Sequence, residues 1–159
     1  MADRKIVIYC RYSSEMQRAE SCEDQEREVR SALLRMGIDS VDAVVVNDRA
    51  ESGTKASREG FCRLVEMIRT NAISILAVDD QSRLSRAENA FAFIKDLVFG
   101  GGRFISTSEG IDTSDSGWSL KVKVLELHHG ETIRGMQDKV RRGQRGTGHR
   151  EIGSPPRRN

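Results

Sequence analysis

Short apolar runs alternate with amphipathic stretches along the chain as far as Gly117. The apolar runs are rich in β-branched residues and fit strands that are buried on both faces of a sheet. We predict four such strands, over residues 5–10, 41–46, 73–78 and 103–107. Between them, apolar residues recur at helical spacing, which predicts helices over residues 23–36, 58–70 and 87–99. This alternation predicts an α/β fold, with a mainly parallel sheet flanked by helices.

The pattern changes after Gly117. Residues 119–127 alternate as a strand would, whereas Ile133, Met136 and Val140 recur at helical spacing. We predict one long helix over residues 119–142. Gly, Arg, Ser and Pro dominate the residues that follow, which predicts an extended or disordered segment.

The composition sets limits on the class of protein. The chain has 159 residues, of which 37% are hydrophobic and 31% are charged, as expected for one globular, cytoplasmic domain. No apolar run approaches the roughly 18 residues that span a membrane. The three cysteines are odd in number and widely spaced, which fits a reducing compartment better than a disulfide framework or a zinc site.

Charge is unevenly distributed along the chain. Residues 1–120 contain 16 basic and 20 acidic residues, whereas residues 121–159 contain 10 basic and 4 acidic ones. A basic C-terminal segment on a mildly acidic body points to a polyanion, most often nucleic acid. A solvated, frayed tail is the alternative that charge alone leaves open.

Candidate reactive residues follow the predicted strands, where the sites of parallel sheets form. Ser13 lies two residues beyond Arg11, so it is a candidate nucleophile beside a fixed cation, although such a serine often only caps a helix. Arg58, Arg83 and Arg86 lie in the later loops. Each alone would fit a surface salt bridge. Four converging guanidiniums would instead suit a phosphodiester and the charge that develops during its cleavage.

Other chemistries lack their sequence signals. The chain has no G-x-S-x-G motif, no P-loop and no G-x-G-x-x-G motif after a strand. The three histidines come late, and His128-His129 lacks the spacing of a metalloprotease helix. We therefore expect no metal ion and no cofactor.

Several segments together resemble the serine recombinase family of resolvases, invertases and serine integrases. The resemblance covers roughly residues 5–145. It rests on motifs in matching order, which are Tyr9–Ser14 with Gln17, Ser21–Gln25, Glu51–Gly53 with Ser57–Phe61, Ser82–Arg86, Glu109–Thr113 and Lys139–Gly143. The long spacing between Ser13 and Gln25 is most similar to that of the large serine integrases.

The resemblance implies a mechanism. Ser13 would attack a DNA phosphodiester to form a 5′-phosphoserine link and release a 3′-hydroxyl, so that strands are exchanged and rejoined without ATP. The residues that would hold the phosphate or assist the reaction are Arg11, Gln25, Arg58, Asp80, Arg83 and Arg86. Asp80 is included because this chain has Ser82 where the family signature has an aspartate, which would transfer a proton or orient an arginine. Asp80, or alternatively Asp79, would take that role here.

The resemblance also implies an organisation. Residues 1–118 would form a resolvase-like catalytic domain, residues 119–145 a long helix for dimerisation and DNA contact, and residues 146–159 a basic flexible tail. The expected DNA-contacting residues are Arg134, Lys139, Arg141, Arg142 and Arg145. The expected partners are double-stranded DNA and further copies of the chain, as a homodimer that becomes a homotetramer on DNA. A bacterial or phage origin and a nucleoid association are implied.

Two alternatives remain open from the sequence. Family members continue into a DNA-binding region that is missing before Asn159, and Glu59 replaces a common proline. The chain is therefore expected to be either a catalytic domain cut from an integrase or a truncated remnant or regulator that does not recombine DNA. An α/β module that binds a small anion or a nucleotide is the other alternative.

Overall fold

The structure is a computed structural model and describes residues 4–12, 20–49, 59–84 and 90–128. Its strands are β1 (Lys5–Tyr12), β2 (Val44–Arg49), β3 (Ile73–Val78), β4 (Arg103–Ser106) and β5 (Ile111–Asp112). Its helices are α1 (Glu20–Arg35), α2 (Glu59–Arg69), α3 (Ala90–Phe99) and α4 (118–128), and a 3₁₀ turn spans Gln81–Arg83. None of these helices is long and apolar enough to cross a membrane.

The five strands form one sheet in the order β2-β1-β3-β4-β5. Strands β1 to β4 are parallel, and β5 pairs antiparallel with β4 at the edge. The predicted α/β fold with a mainly parallel sheet is therefore confirmed. Because β1 and β3 are parallel neighbours in the middle of the sheet, their carboxyl ends lie side by side at the same edge of the sheet.

The sheet has an apolar layer on each face. Alternate residues of β1 point to opposite faces, so Ile8 and Cys10 pack with Val29 and Leu33 of α1. Val7 and Tyr9 belong to the larger cluster on the other face, which includes residues of α2, α3 and α4. Each large side chain that is fully buried in such a layer contributes about 1.5–3 kcal/mol. This burial fixes β1 firmly in the centre of the sheet.

The amphipathic patterns of α2 and α3 are seen in their buried faces. Leu64 and Ile68 of α2, and Ile94 and Leu97 of α3, are buried beneath the sheet. Helix α3 is described from Ala90, and its predicted start at residue 87 lies outside the described part of the chain.

Several predicted boundaries are wrong. Strand β1 continues to Tyr12 and β2 to Arg49, beyond the predicted ends at residues 10 and 46, and α1 includes Glu20, three residues before its predicted start. Strand β2 begins at Val44, not at residue 41, because a turn over Ser40–Ala43 precedes it and leaves Val41 79% exposed. Helix α1 ends at Arg35, so Met36 lies beyond the helix and is 44% exposed, not part of the buried helix face that its spacing indicated. Strand β5 was not predicted, since two residues are too short for a pattern of alternation.

Helix α4 lies against the body of the domain through one face. The ring of Trp118 stacks on Phe91 with the centroids 6.0 Å apart, and Val122 is completely buried. The ammonium group of Lys123 lies 4.5 Å from the centroid of the Phe91 ring. The predicted long helix is thus helical over residues 118–128, and its remaining part, 129–142, lies outside the described residues.

Candidate active site

The carboxyl ends of β1 and β3 bring two arginines together. Arg11 lies near the end of β1, and Arg83 closes the 3₁₀ turn that follows β3. The Nη2 group of Arg11 donates a hydrogen bond of 2.9 Å to the carbonyl of Ser82. In return, Nη1 of Arg83 donates one of 3.2 Å to the carbonyl of Arg11. Each guanidinium is therefore held by the backbone of the segment that carries the other.

Gln25 of α1 fixes the backbone of Arg11. The Arg11 N–H donates to Oε1 of Gln25, and Nε2 of Gln25 donates to the Arg11 carbonyl, both at 3.3 Å. Gln25 is only 8% exposed, so its amide group is screened from water. These two bonds satisfy the backbone of β1 where the sheet ends, two residues before Ser13 in the sequence.

Two acidic residues after β3 have different contacts. The carboxylate of Asp79 lies 3.8 Å from Nη2 of Arg83 and offsets part of the positive charge of the pair. Asp80 instead caps the 3₁₀ turn, where its Oδ1 accepts a bond of 2.6 Å from the Ser82 N–H. The assignment of Asp80 to proton transfer stays a prediction, and the carboxylate beside Arg83 belongs to Asp79.

Asp48, which the sequence analysis did not select, anchors the start of α2. It lies at the end of β2, is 6% exposed, and accepts hydrogen bonds from the Tyr9 hydroxyl at 2.6 Å and from the N–H groups of Gly60 and Phe61 at 2.9 Å. Acidic side chains are favourable at helix N-termini because they satisfy N–H groups that have no helical partner. The start of α2, which directly follows Arg58 in the sequence, is therefore tied to the sheet.

The close contact between α2 and β2 requires a glycine. A Cβ atom at residue 60 would lie 2.6 Å from Oδ1 of Asp48 and 2.9 Å from the carbonyl oxygen of Asn47. Any larger residue at Gly60 would push α2 away from its cap. The available sequence signal was the acidic residue at the end of a strand together with a glycine in the first turn of a helix.

Cys10, adjacent to Arg11, is not a candidate nucleophile. Burial, reinforced by the nearby Cys22, raises the pKa of its thiol to about 12. A thiol attacks as its thiolate, which is essentially absent at such a pKa near neutral pH.

Several predicted site residues lie outside the described part of the chain. They are Ser13, Arg58 and Arg86 of the catalytic set, and Arg134, Lys139, Arg141, Arg142 and Arg145 of the DNA-contacting set. Of the catalytic residues that the structure describes, it brings together Arg11, Gln25 and Arg83 and places Asp80 in the adjoining turn.

The family comparison covers nearly the whole chain. Residues 6–148 match the family described as Resolvase, N terminal domain. The chain belongs to this family of serine recombinases. The matched residues include every segment on which the sequence resemblance rests and every residue of the site described above.

Solved structures of serine recombinases are similar to this chain. The N-terminal catalytic domain of TP901-1 integrase is 26% identical, with a TM-score of 0.59 over 86% of this chain and 98% of that chain. A resolvase family site-specific recombinase from Streptococcus pneumoniae is 22% identical, with a TM-score of 0.62 over 89% and 99% of the two chains. A serine recombinase from Sulfolobus solfataricus is also 22% identical, with a TM-score of 0.54 over 88% and 95%. The last two matches support the fold alone.

Ser82 is one position at which this chain departs from the family signature, and the hydrogen bonds shown for it are made by its backbone. Its N–H donates to Asp80, and its carbonyl accepts from Arg11. Neither contact depends on the side chain at residue 82. The arrangement of Arg11 beside the turn is thus compatible with serine at this position.

Proposed function

We propose that this chain is the catalytic domain of a site-specific DNA recombinase in which Ser13 is the nucleophile. The observation that carries the proposal is the reciprocal contact of Arg11 and Arg83, with the backbone of Arg11 held by Gln25 two residues before Ser13 in the sequence. Two guanidiniums fixed at the edge of a sheet form a binding site for an anion. Membership of the serine recombinase family makes a DNA phosphodiester the fitting anion.

The reaction needs no external energy source. The Oγ atom of Ser13 attacks phosphorus, and the bond from phosphorus to the 3′ oxygen breaks. The serine loses its proton and the 3′ oxygen gains one, so the products are a 5′-phosphoserine link and a 3′-hydroxyl. One phosphoester bond replaces another, and attack by a 3′-hydroxyl of the exchanged strand reverses the step and restores the serine.

The arginines act on the charge that grows during this exchange. A five-coordinate phosphorus carries more negative charge on its equatorial oxygens than the diester does, and donors that are fixed in advance stabilise it without rearrangement. Arg11 and Arg83 are fixed by backbone carbonyls in this way. Arg58 and Arg86 complete the proposed set. Asp48 supports it by holding the helix that follows Arg58.

The exposed face of α4 supports assembly with a second copy of the chain. Leu120, Val124 and Leu127 recur at helical spacing and are 67%, 55% and 72% exposed, while Val122 on another side of the helix is buried against the domain. We propose that this stripe pairs with the same stripe of another copy, giving a dimer and then a tetramer on double-stranded DNA. The basic residues between Arg134 and Arg145 would contact DNA phosphates.

The proposal is tested by trapping the covalent intermediate. The probe is a pool of DNA duplexes with a randomised central segment, incubated with the protein at low ionic strength, where phosphate contacts are strongest. The chain offers a matched pair of variants, Ser13→Ala and Ser14→Ala, which make the same change at adjacent positions. We expect the wild type and Ser14→Ala to form a protein–DNA adduct that survives denaturation, and Ser13→Ala to form none.

Each other outcome contradicts part of the proposal. An adduct that persists in Ser13→Ala would overturn the choice of nucleophile. Absence of an adduct from folded wild-type protein on every duplex in the pool would overturn the recombinase activity of this chain. That result would favour the remnant or regulator that does not recombine DNA.

A further inference from the structure

A buried amide group joins the 3₁₀ turn to helix α4. Gln81 is the first residue of the turn and is 1% exposed. Its Nε2 group donates a hydrogen bond of 3.2 Å to the carbonyl of Val122, in the middle of α4. Val122 is itself completely buried, so this contact lies between the site and the face of α4 that packs on the domain.

The backbone of Gln81 is held from a third direction. Its N–H donates to Oε2 of Glu109 at 2.8 Å, and the same oxygen accepts the Ser106 hydroxyl at 2.6 Å. The Ser106 hydroxyl also lies 3.2 Å from the carbonyl of Asp79. The start of the turn is thus fixed to the end of β4, and the Gln81 side chain is its connection to α4.

The residues after Gln81 belong to the catalytic arrangement. The carbonyl of Ser82 accepts a hydrogen bond from the guanidinium of Arg11, and the guanidinium of Arg83 donates one to the carbonyl of Arg11. A displacement of the turn relative to β1 would therefore change both contacts together. The side chain that contacts α4 and the carbonyl that holds Arg11 belong to the adjacent residues Gln81 and Ser82.

Stability alone explains this glutamine poorly. Its Oε1 atom is buried and has no hydrogen-bond partner among the residues that the structure describes. A buried acceptor without a partner costs about 1–3 kcal/mol, whereas one ordinary hydrogen bond returns about 1 kcal/mol. An apolar side chain of the same volume would suit this position at least as well for folding. What glutamine provides here, and an apolar side chain would not, is the hydrogen bond to the backbone of α4.

We propose that Gln81 is a positioning residue that couples the position of α4 to the geometry of Arg11 and Arg83. The proposal rests on the proposed function, because it assigns α4 to dimer formation and the arginines to the phosphate. When the exposed stripe of α4 meets a second copy, the helix is held more firmly. Because the Gln81 hydrogen bond links the helix to the turn, the turn is then restrained as well, and the arginine pair is ordered in the dimer.

The test follows one backbone amide by hydrogen exchange. The N–H of Arg83 donates to the carbonyl of Asp80 and closes the turn. In the wild type, we expect its exchange to slow about tenfold as the protein concentration is raised from monomer to dimer, the change that a restraint of about 1.4 kcal/mol produces. In Gln81→Met, which keeps the volume and loses the donor, we expect no dependence on concentration. Melting temperature and dimer formation should match the wild type.

A second variant keeps the test decisive if Gln81→Met does not fold. Leu127→Glu leaves Gln81 intact and prevents pairing through the stripe, so the Arg83 amide should exchange at the monomer rate at every concentration. Wild-type slowing of exchange in Gln81→Met would overturn the coupling, as would dimer-like protection in monomeric Leu127→Glu, or a wild type that stays monomeric throughout. Because no DNA is present, this result is independent of whether the Ser13 adduct forms.

The kinetics of adduct formation separate positioning from folding. At saturating DNA, we expect the single-turnover rate constant of Gln81→Met to fall about tenfold, the effect of about 1.4 kcal/mol, with an unchanged Kd for DNA. A purely structural role would reduce the amount of competent protein and leave the rate constant unchanged. That outcome would contradict the proposal.

Discussion

At the scale of single residues, Asp48 shows how one side chain can fix two elements. Its carboxylate accepts one hydroxyl and two backbone N–H groups, from β1 and from the first turn of α2. Three donors on one buried carboxylate are a geometry that no neutral side chain reproduces, since an amide offers a single acceptor oxygen. Its loss should therefore affect both the stability of the domain and the position of α2.

We predict that Asp48→Asn lowers the free energy of unfolding by about 1–3 kcal/mol, because at least one buried donor loses its acceptor. Urea unfolding measures this change. Asp39→Asn is the matched control, since Asp39 is exposed and accepts one local bond from the Val41 N–H. It should change the stability by less than about 0.5 kcal/mol. Equal effects of the two substitutions would contradict the anchoring role of Asp48.

The sequence could indicate some of these residues but not others. Arg11, Gln25 and Arg83 belong to recognisable motifs, so they could be named before the structure was considered. The bond between Tyr9 and Asp48 joins residues that are 39 positions apart, and the bond between Gln81 and Val122 spans 41 positions. Periodicity reports which face a residue occupies, whereas these contacts depend on how separate elements pack.

At the scale of elements, a salt bridge holds the edge of the sheet. The guanidinium of Arg103 on β4 donates from Nε to Asp112 on β5 at 2.8 Å, and a second bond runs from Nη2. The hydrogen bond from Arg103, together with weaker contributions from the bonds of Ser114, lowers the pKa of Asp112 from 3.8 to about 2. The pair closes β5 against β4 and sets the turn that contains Glu109.

This pair should give the domain a specific dependence on pH. Because the folded pKa of Asp112 is below its unfolded value, the stabilisation is fully present above about pH 4 and is lost as the pH falls towards 2. We predict that Asp112→Asn lowers the free energy of unfolding at pH 7 by about 1 kcal/mol, a value reduced for solvent screening because Arg103 is 34% exposed. Urea titrations between pH 7 and pH 3 should show the difference from the wild type shrinking.

Asp24→Asn provides the control for the pH experiment. Its ion pair with Arg27 is 59% and 69% exposed, so its removal should change the stability little at any pH. A deficit in Asp112→Asn that stays constant from pH 7 to pH 3 would contradict the assigned role of the carboxylate.

The elements themselves were largely predictable where they are long and apolar. Strands β1 and β3 and helix α2 follow from continuous apolar runs and from a stripe at helical spacing. Strand β2 was placed too early because Val41 continues the apolar pattern although it lies in an exposed turn. Strand β5 is stabilised by the Arg103–Asp112 pair and not by any pattern of its own, so no periodicity could reveal it.

At the scale of the whole molecule, helix α4 has two apolar faces, of which one packs on the domain and the other is exposed. One face packs on the domain through Trp118 and Val122, and the other carries the exposed stripe of Leu120, Val124 and Leu127. Isolated exposed apolar residues are common, but three at helical spacing form a continuous surface. The stripe gives the molecule a surface suited to pairing with its own copy.

We predict that Leu127→Glu shifts the protein towards monomer, because it places a charge in the proposed contact. Sedimentation over a range of concentrations measures the change, and the dimer dissociation constant should rise at least about tenfold. Leu34→Glu makes the same substitution at another exposed helical leucine, which is 73% exposed on α1. It should leave the dimer unchanged. Loss of the dimer in both variants, or in neither, would argue against the stripe as the interface.

The most direct test of the account is to find where DNA is attached to the protein. Adduct formed by the wild type is digested with nuclease and protease, and the peptide that carries a nucleotide is sequenced by mass spectrometry. We predict a single modified residue, Ser13, linked through phosphate to the 5′ carbon of a nucleotide, with the other end of the broken strand carrying a 3′-hydroxyl. Attachment at any other residue, or a phosphate left on the 3′ end, would contradict it.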